Sequence, residues 1–502
     1  MSMESRTEVS EALKKAREYE QKNITEEVNR QKPSFHVCAP IGWINDPNGF
    51  SIYKGEYHLF YQYYPYAKVW GPMHWGHSVS KDLVNWKNLP VALAPDKDYD
   101  HAGCFSGSAL EYKGQHVLLY TGVEEKETED GKLIRQTQCL AIGDGVDYEK
   151  LEDNPVIYPD GLPQGSSLED FRDPKIWQEG DTFYAVMGSR SSDGSGQIPV
   201  YSSKDLQNWS LVSILDKCEN QYGKMWECPD FFFLDGKAVL LTSPQDMESE
   251  GLEFHSGNGT LCIIGNCSKE DFILHREKVQ TIDYGLDFYA PQTTLTPDGR
   301  RVMIAWFQSW DNHLSPEHLA WGGMMTIPRE LQVKEGRLYQ NPVRELEQYR
   351  TGKIQHEGVK IREKQSLEGI RGRQMDLTVE IRGEEYDKFK IYLAMDEKHH
   401  TDVIYDRREG ILTFDRRYCG DRRDRIHTRE MTVEEKEGKL KLRILVDKYS
   451  VEIFVNDGEK AMSSLTYTGL EAEGIAFEAR GEAEISVCQY LSLIHISEPT
   501  RH

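Results

Sequence analysis

Three short peptides place carboxylates among residues that could shape a small pocket. Asp46 lies in WINDPNG, Asp173 in FRDP and Glu227 in WECPD. A pair of carboxyl groups can hydrolyse a glycosidic bond, because one attacks the anomeric carbon while the other donates a proton to the departing oxygen. Each peptide alone also has a structural explanation, since Asp-Pro-Asn-Gly favours a turn and Arg-Asp favours an ion pair. The chemistry therefore depends on whether the fold brings the three acids together.

An internal repeat gives these acids a reason to converge. Five segments consist of a β-strand, a turn centred on glycine and a second strand rich in aromatic and branched residues. The turn glycines recur at intervals of roughly 60 residues, which is typical of a β-propeller with long blades. They are Gly55, Gly114, Gly180, Gly236 and Gly299. Five units predict a closed ring of five blades over residues 33–346.

The innermost strand of each propeller blade lines the central channel, so equivalent positions of the blades face one axis. Counting back seven or nine residues from the turn glycines reaches Asp46, Phe105, Asp173, Glu227 and Ala290. Acids that face one another destabilise a fold, and such an arrangement usually persists where it performs chemistry. Clustering would raise the pKa of one acid so that it can donate a proton, and the neighbouring Trp226 favours Glu227 for this role.

The residues around the acids predict the rest of the pocket. Arg172 would favour the ionised form of Asp173, which suits a group that accepts hydrogen bonds from sugar hydroxyls. Gln62 is polar within an aromatic strand and either binds a hydroxyl or faces solvent. His74 and His77 have a loose metal-like spacing but lack acidic or cysteine partners, so we predict no metal site. The tryptophans that could stack on a sugar face are Trp43, Trp70, Trp226 and Trp306.

A change of composition near residue 350 indicates a second domain. All ten tryptophans lie at or before Trp321, and the later chain consists of charged strands joined by turns. This pattern predicts a β-sandwich over residues 347–490. Residues 1–32 carry apolar positions in a charged background and predict an amphipathic helical extension on the outside of the propeller. Residues 491–502 break the strand pattern and resemble a translated sequencing adapter, so we predict a non-native tail there.

Charge and cysteine content argue against several classes of function. The 502 residues include 60 Lys and Arg against 83 Asp and Glu, and the resulting net charge of −23 disfavours nucleic acids and anionic membranes as partners. The charged N-terminus lacks the apolar run of a secretory signal, and the nine cysteines show no metal-binding or disulfide pattern. We therefore expect a cytoplasmic protein with reduced thiols. The run DRRYCGDRRDR, residues 415–425, alternates acids with arginines and predicts a solvated hairpin.

The peptides WINDPNG, FSGSA, FRDP and WECPD, in this order and spacing, resemble the signature motifs of glycoside hydrolase family 32, the β-fructofuranosidases. The similarity continues through QNPVREL and LRILVDKYSVEIFVNDGE, and so covers nearly the whole chain from about Pro33 to Tyr490. The fold of that family, a five-bladed propeller followed by a β-sandwich, is also the fold that the repeat and the tryptophan distribution predict. The resemblance implies neither a cofactor nor a metal.

Carried over to this sequence, the family resemblance implies roles for the three acids. Asp46 would be a nucleophile that forms a covalent fructosyl-enzyme. Glu227 would protonate the leaving glucose oxygen and then activate water, which gives retention of configuration. Asp173 would bind fructose hydroxyls and stabilise the transition state. The residues that match positions shaping the fructose pocket are Trp43, Asn45, Gln62, Trp70, Phe105, Ser106 and Arg172.

The resemblance leaves several substrates open. It implies hydrolysis of sucrose, of sucrose 6-phosphate or of both, and the helical extension and expected cytoplasmic setting are similar to those of bacterial enzymes for the phosphorylated sugar. A fructan exo-hydrolase or a fructosyltransferase is the alternative, and a non-catalytic carbohydrate-binding propeller is a more remote one. Besides the sugar, the partner to consider is a second copy of the chain, because exposed strand edges of the sandwich could pair in a homodimer.

Overall fold

The computed structural model describes residues 9–129, 131–421 and 426–493. Most of them lie in strands, which form five blades around a channel followed by a β-sandwich, with two short helices at the N-terminal end. The predicted fold class is therefore confirmed. In the part of the chain that the structure describes, no helix is both long and apolar enough to cross a membrane.

Each propeller blade is an antiparallel sheet whose strands follow the order of the chain. Blade 1 consists of β1 (Gly42–Tyr53), β2 (Glu56–Tyr64), β3 (His74–Ser80) and β4 (Trp86–Leu93). Blade 2 consists of β5 (Gly103–Tyr112), β6 (Gln115–Thr128), β7 (Gly131–Gly143) and β8 (Tyr148–Lys150). Blade 3 consists of β9 (Phe171–Glu179), β10 (Thr182–Arg190), β11 (Gly196–Ser203) and β12 (Trp209–Lys217).

The last two blades complete the ring. Blade 4 consists of β13 (Trp226–Leu234), β14 (Lys237–Pro244), β15 (Leu261–Cys267) and β16 (Leu274–Thr281). The chain then forms β17 (Tyr289–Leu295), β18 (Arg301–Trp306), β19 (Trp321–Gly322), β20 (Arg329–Lys334) and β21 (Arg337–Pro342). Four of these five strands make up blade 5, whereas β19 pairs in parallel with β1 and joins the end of the ring to its beginning.

The predicted turn glycines connect the first and second strands of every blade. All five adopt left-handed backbone angles, with φ between 56° at Gly180 and 87° at Gly299. The residue before the glycine is also left-handed in three blades, at Lys54, Lys113 and Asp235. Two successive left-handed residues match the right-handed twist of a tight hairpin, which explains why glycine recurs at this position.

Every innermost strand carries a β-bulge near the channel mouth. The pairing shifts between Ile44 and Pro47 in β1, and it shifts in the same way in β5, β9, β13 and β17. A bulge turns side chains out of the regular alternation of a strand and so aims them into the channel. Four bulges contain a residue followed by proline, namely Asp46-Pro47, Asp173-Pro174, Cys228-Pro229 and Ala290-Pro291.

These bulges correct the predicted register by one residue. Cys228, not Glu227, occupies the position in β13 that is equivalent to Asp173 in β9, and Glu227 matches Arg172 instead. Asp46 lies one residue further along its own bulge, because Asn45 follows the paired residue Ile44 as Asp173 follows Arg172. Equal counts from the turn glycine do not reach equivalent positions in every blade, since β1, for example, contains a second bulge between Asn48 and Ser51 that β13 lacks. Glu227 still lies in a channel strand, one residue before the shared position.

The C-terminal domain is a sandwich with two layers that share two long strands. Its strands are β22 (Thr351–Ile361), β23 (Met375–Met395), β24 (Thr401–Asp406), β25 (Ile411–Asp415), β26 (Thr428–Thr432), β27 (Lys439–Asp447), β28 (Ser450–Val455), β29 (Lys460–Leu465) and β30 (Gly474–Ser492). The first half of β23 pairs with β27 and its second half with β24, while β30 follows it along nearly its whole length. Apolar side chains from both layers form one core between them.

The structure places the first three residues of the predicted tail within the sandwich. Leu491 and Ser492 belong to β30, and Leu493 is fully buried. Ser492 pairs with Thr351 of β22 and with Met375 of β23, and a local sequence pattern does not display such contacts between distant residues. Residues 494–502, which make up the rest of the predicted tail, lie outside the described residues.

The N-terminal segment forms the two helices α1 (Glu11–Asn23) and α2 (Glu26–Arg30). Ser10 and Thr25 cap them by accepting hydrogen bonds from backbone N–H groups of the first turns. The apolar face of α1 buries Leu13 and Ala16 against blade 1, as the sequence pattern predicts. The helices thus add to the outside of the propeller and do not reach the channel.

A buried group of charges, here called the interface network, joins the propeller to the sandwich. Arg329 lies 2.9 Å from Asp283 and 2.5 Å from Glu452, and the imidazole of His36 lies 2.8 Å from Asp447 and 2.9 Å from Glu452. Burial disfavours the charged forms of His36, Asp447 and Glu452. Their hydrogen bonds and the neighbouring opposite charges outweigh this effect. The pKa of His36 is raised to about 9, and the pKa values of Asp447 and Glu452 are held below their usual range.

A second buried ion pair strengthens the same interface. Arg416 lies 2.6 Å from Asp287 of the propeller and is almost fully buried. The prediction of a solvated hairpin for residues 415–425 is therefore wrong at Arg416, because the propeller covers this part of the hairpin. Residues 422–425 lie outside the described residues.

Candidate active site

Asp46 lies in the bulge of β1 with its two carboxylate oxygens in different surroundings. The hydroxyl of Ser106 donates a hydrogen bond of 2.9 Å to Oδ2. Oδ1 is buried and accepts no hydrogen bond from the described residues. Burial and the nearby charge of Glu227 raise the pKa of Asp46 to about 6, and the hydrogen bond from Ser106 offsets part of this shift. One oxygen is thus held in place while the other remains available for a reacting atom.

Cys228 connects two of the acids, a role that the sequence analysis missed. Its thiol Sγ lies 3.5 Å from Oδ2 of Asp46 and 3.5 Å from Oδ2 of Asp173, while its backbone N–H donates to Asp173 at 2.9 Å. Burial raises the pKa of this thiol far above its usual value, so it remains a neutral donor. The signal for Cys228 was present in the sequence, because it precedes a proline just as Asp46 and Asp173 do.

Asp173 is buried and held in an uncommon backbone conformation, with φ of 63°. Its backbone N–H donates to the hydroxyl of Thr121 at 3.0 Å. Burial raises the pKa of Asp173 to about 7, although Arg172 acts in the opposite direction. Arg172 thus favours the ionised form of Asp173, as predicted, but burial outweighs its effect on the pKa. The closest approach of the two side chains is 4.0 Å, because the guanidinium is directed at Glu227.

Glu227 is held on both of its oxygens. Arg172 donates to Oε1 through Nε at 3.1 Å and Nη2 at 2.9 Å. The hydroxyl of Tyr289 lies 2.6 Å from Oε2 and also 3.0 Å from the carbonyl oxygen of Ser243. Tyr289 belongs to the innermost strand of blade 5 and was not predicted, since an aromatic residue in a strand is most often part of a core. The carboxyl group of Glu227 is therefore fixed from blades 3 and 5.

The aromatic wall of the site is smaller than predicted. Trp226 and Trp306 are fully buried, so the prediction that they stack on a sugar is wrong. Trp226 packs against blade 3, and its indole N–H donates to the carbonyl oxygen of Tyr222 at 2.8 Å. Trp306 lies behind Trp43 with a ring separation of 5.9 Å. Propeller blades bury large aromatics between them, and a sequence does not distinguish these from channel residues.

Trp43 and Trp70 differ in exposure although both belong to the predicted pocket. Trp43 is only 2% exposed, and its indole N–H donates to the side-chain oxygen of Asn45 at 3.0 Å. Trp70 is 48% exposed and lies edge-on to Phe105 at 5.8 Å. Trp70 and Phe105 therefore border the opening of the site, whereas Trp43 supports its floor.

Gln62 is buried and does not face solvent, so its predicted role in binding a sugar hydroxyl stays a prediction. Its amide nitrogen donates to the backbone oxygen of Cys104 at 3.0 Å. His74 and His77 also turn to separate partners, the carbonyl oxygen of Pro72 and the imidazole of His58. Within residues 9–129, 131–421 and 426–493, no three His, Cys, Asp or Glu side chains are grouped so that they could hold a metal ion.

Two family models match consecutive parts of this chain. The N-terminal domain of the glycosyl hydrolases family 32 matches residues 36–342, and the C-terminal domain of that family matches residues 345–492. This chain belongs to glycoside hydrolase family 32. It is therefore a glycoside hydrolase, and its channel acids lie within the matched N-terminal domain.

Relatives and solved structures of family 32 resemble the chain over most of its length. A sucrose-6-phosphate hydrolase of Zymomonas mobilis is 37% identical over 440 residues, which cover 85% of this chain and 84% of that protein. A raffinose invertase of Escherichia coli is 36% identical, and the match covers 91% of this chain and 94% of that protein. The structure of a β-fructofuranosidase of Bombyx mori is 35% identical in sequence and matches with a TM-score of 0.82. The match covers 95% of this chain and 98% of that one. A mutant of that enzyme has been solved in complex with sucrose.

Proposed function

We propose that this protein is a retaining β-fructofuranosidase that hydrolyses sucrose and sucrose 6-phosphate. The observation that carries the proposal is the unequal environment of two channel acids. Asp46 keeps one buried oxygen without a hydrogen bond from the described residues, whereas both oxygens of Glu227 are held, Oε1 by Arg172 and Oε2 by the hydroxyl of Tyr289. The activities named for the similar proteins, sucrose-6-phosphate hydrolase and raffinose invertase, support this substrate class.

In the first step, Oδ1 of Asp46 attacks the anomeric carbon of the fructosyl unit. The bond from this carbon to the glycosidic oxygen breaks, and Glu227 in its protonated form transfers its proton to that oxygen. Glucose or glucose 6-phosphate leaves, and the fructosyl unit stays bound to Asp46 as an ester. Ser106 holds Oδ2 of Asp46 throughout and so fixes the attacking oxygen in position.

In the second step, the carboxylate of Glu227 accepts a proton from water, and the water oxygen attacks the same anomeric carbon. The ester bond to Asp46 breaks and fructose is released, so two inversions give net retention. Asp173 binds fructose hydroxyls on the remaining side. Its pKa of about 7 allows it both to accept and to donate hydrogen bonds near neutral pH. Trp70 and Phe105 at the opening would contact the sugar beyond the cleaved bond.

The pKa of Asp46 predicts the acidic limb of the pH profile. A nucleophilic carboxylate must be ionised, and the pKa of Asp46 in the free enzyme is about 6. We therefore expect kcat/KM for sucrose to fall tenfold for each pH unit below about 6. Steady-state rates between pH 4 and pH 8 measure this limb, and an acidic limb that begins near pH 4 would contradict the assigned environment of Asp46.

The substrate experiment compares kcat/KM for sucrose, sucrose 6-phosphate, inulin and levan with the purified full chain. We expect the two sucrose substrates to be cleaved far faster than the two fructans. Faster turnover of inulin or levan would support the alternative of a fructan exo-hydrolase, and oligosaccharide products would support a fructosyltransferase. Rapid NMR of the fructose product tests retention, since β-fructofuranose must appear first. A protein that binds sucrose without turnover would show a non-catalytic propeller and overturn the proposal.

We also propose that the protein works in the cytoplasm. All nine cysteines are unpaired in the structure, and seven of them are buried. Titration of thiols in freshly prepared denatured protein should give nine reactive groups, and fractionation of the source cells should place the activity with the cytoplasmic proteins. Intermolecular disulfides or activity outside the cell would contradict this location.

A homodimer through the sandwich is a further part of the proposal. Among the described residues, β22 and β26 each pair with one neighbouring strand only, so both leave an open edge there. Light scattering after size-exclusion chromatography measures the mass of the assembly directly. A mass equal to a single chain of 57.9 kDa at micromolar concentration would rule out the dimer.

A further inference from the structure

A chain of alternating charges extends from Glu227 toward solvent. Arg172 contacts Glu227 at 2.9 Å and Asp170 at 3.0 Å, and Arg190 lies 3.3 Å from the other oxygen of Asp170. Exposure of these side chains increases along the chain, from 10% at Arg172 to 22% at Asp170 and 41% at Arg190. Arg190 thus ends a path that begins at the proposed proton donor.

The fold places a second cation beside Arg190. Arg190 is the last residue of β10 and pairs with Gly196 of β11. A Cβ atom at Gly196 would lie 2.6 Å from the carbonyl oxygen of Lys224, so the backbone of blade 4 runs directly against this strand end. Lys224 is exposed and forms no ion pair with the described residues. Arg190 and Lys224, here called the cationic rim, therefore border the same side of the channel mouth as Glu227.

Two cations at this mouth keep donor groups without a partner among the described residues. Asp170 is shared between Arg172 and Arg190, and Arg172 is also engaged by Glu227. The next carboxylate along the rim, Asp193, is paired with Lys217 at 2.9 Å. Arg190 keeps its terminal nitrogens for another partner, and Lys224 keeps its whole ammonium group. Arg190 and Lys224 therefore offer cationic donors that an anionic ligand at this place can engage.

We propose that Arg190, assisted by Lys224, binds the phosphate of a 6-phosphoglucosyl leaving group. This inference rests on the proposed function, because it concerns the leaving side of the same reaction. The glycosidic oxygen must reach Glu227, so the departing glucose lies between Glu227 and solvent, where the cationic rim stands. A guanidinium can donate two parallel hydrogen bonds to a phosphate, which gives both affinity and orientation.

The experiment measures kcat/KM for sucrose 6-phosphate and for sucrose in the wild type and in Arg190→Gln. A charge-assisted hydrogen bond contributes about 1.5–3 kcal/mol, so we expect roughly a tenfold or greater loss on the phosphorylated substrate. The value for sucrose should change less than twofold. Lys224→Ala should give a smaller loss on the phosphorylated substrate alone, and Arg190→Lys should recover part of it because it restores the charge. Inhibition by glucose 6-phosphate should weaken in parallel.

Lys204→Ala is the matched control, because Lys204 contacts Thr182 at the opposite end of the same strand. It should leave both substrates unaffected. Equal losses on both substrates in Arg190→Gln would show that Arg190 only positions Asp170 and Arg172, and would overturn the proposal. An unchanged ratio of the two kcat/KM values would overturn it as well. A wild type that cleaves neither substrate would instead refute the proposed function.

Discussion

The channel and the interface network both bury carboxylates, but the pKa values of these carboxylates shift in opposite directions. Burial raises the pKa of Asp46 to about 6 and that of Asp173 to about 7. At the interface, the pKa values of Asp447 and Glu452 stay below their usual range although both residues are buried just as deeply. The two regions differ in the number and the placement of positive charges.

At the interface, each buried acid contacts a cation or several N–H donors. Asp447 accepts from His36 and from the backbone of Ser34 and Phe35, and Glu452 contacts both His36 and Arg329. In the channel, Arg172 serves Glu227, and Asp46 and Asp173 share the neutral thiol of Cys228. Compensated acids stabilise a domain contact. Acids without compensation cost stability but can change protonation and attack carbon at working pH.

Among the variants that test the difference between the two regions, Asp46→Asn should have the largest effect. It removes the charge of a channel acid but nearly keeps the shape of the side chain. Loss of the nucleophile should lower kcat for sucrose by roughly 10⁴-fold or more. Because the pKa of Asp46 is raised from 3.8 to about 6, ionisation destabilises the fold progressively over this pH range, and the full cost is present above it. We therefore expect a Tm at pH 7 no lower than that of the wild type. Substantial activity, or a clearly lower Tm, would contradict this account.

Glu227→Gln should have the next largest effect. Without a transferable proton, kcat for sucrose should fall by roughly 10²–10⁴-fold. A fructoside with a nitrophenolate leaving group needs no protonation, so its first step should be much less affected. Stopped-flow release of nitrophenolate measures that step alone. Equal losses on the two substrates would assign Glu227 a role other than proton transfer.

Tyr289→Phe sharpens the comparison, because it removes one hydrogen bond from a channel acid without removing the acid. Its hydroxyl acts through Oε2 of Glu227, which makes Tyr289 a positioning residue. A hydrogen bond to a charged group contributes about 1.5 kcal/mol or more, so kcat for sucrose should fall about tenfold. The loss should be smaller for the nitrophenolate substrate, as in Glu227→Gln. A purely structural role would lower both rates alike and would also reduce Tm.

His36→Gln tests the interface and should have the smallest effect on activity. The pKa of His36 is raised from 6.5 to about 9, so its contribution to stability is complete below about pH 6.5 and is lost as the pH rises through 9. Removing one partner of a buried charge pair costs about 3 kcal/mol, which should lower Tm by several degrees at pH 6. Calorimetry from pH 6 to pH 9.5 should show the difference from the wild type shrinking, while kcat at 25 °C stays unchanged. A constant difference would refute the pKa of His36.

The fold was predictable because its signal repeats. Five glycines at left-handed hairpin positions and acids next to X-Pro bulges are local patterns that a single sequence displays. Residues that act through distant partners were not predictable. His36 and Asp447 are 411 positions apart, and the contact of Tyr289 with Glu227 depends on how blades 4 and 5 face each other. The predictions that Trp226 and Trp306 stack on a sugar failed for a related reason, since channel walls and blade cores contain the same residue types.

The closure of the ring by β19 determines when the protein can assemble during synthesis. The edge of β1 that faces away from β2 pairs, at Gly42 and Trp43, with Trp321 and Gly322. This edge has no partner until those two residues have left the ribosome. His36, just upstream, must wait longer still, because Asp447 and Glu452 are made near the end of the chain. Blades 2 to 4 can form in sequence, whereas the segment carrying Asp46 is completed last. A nascent chain arrested before Trp321 would therefore hold an open ring, and one arrested before the sandwich would still lack the partners of His36.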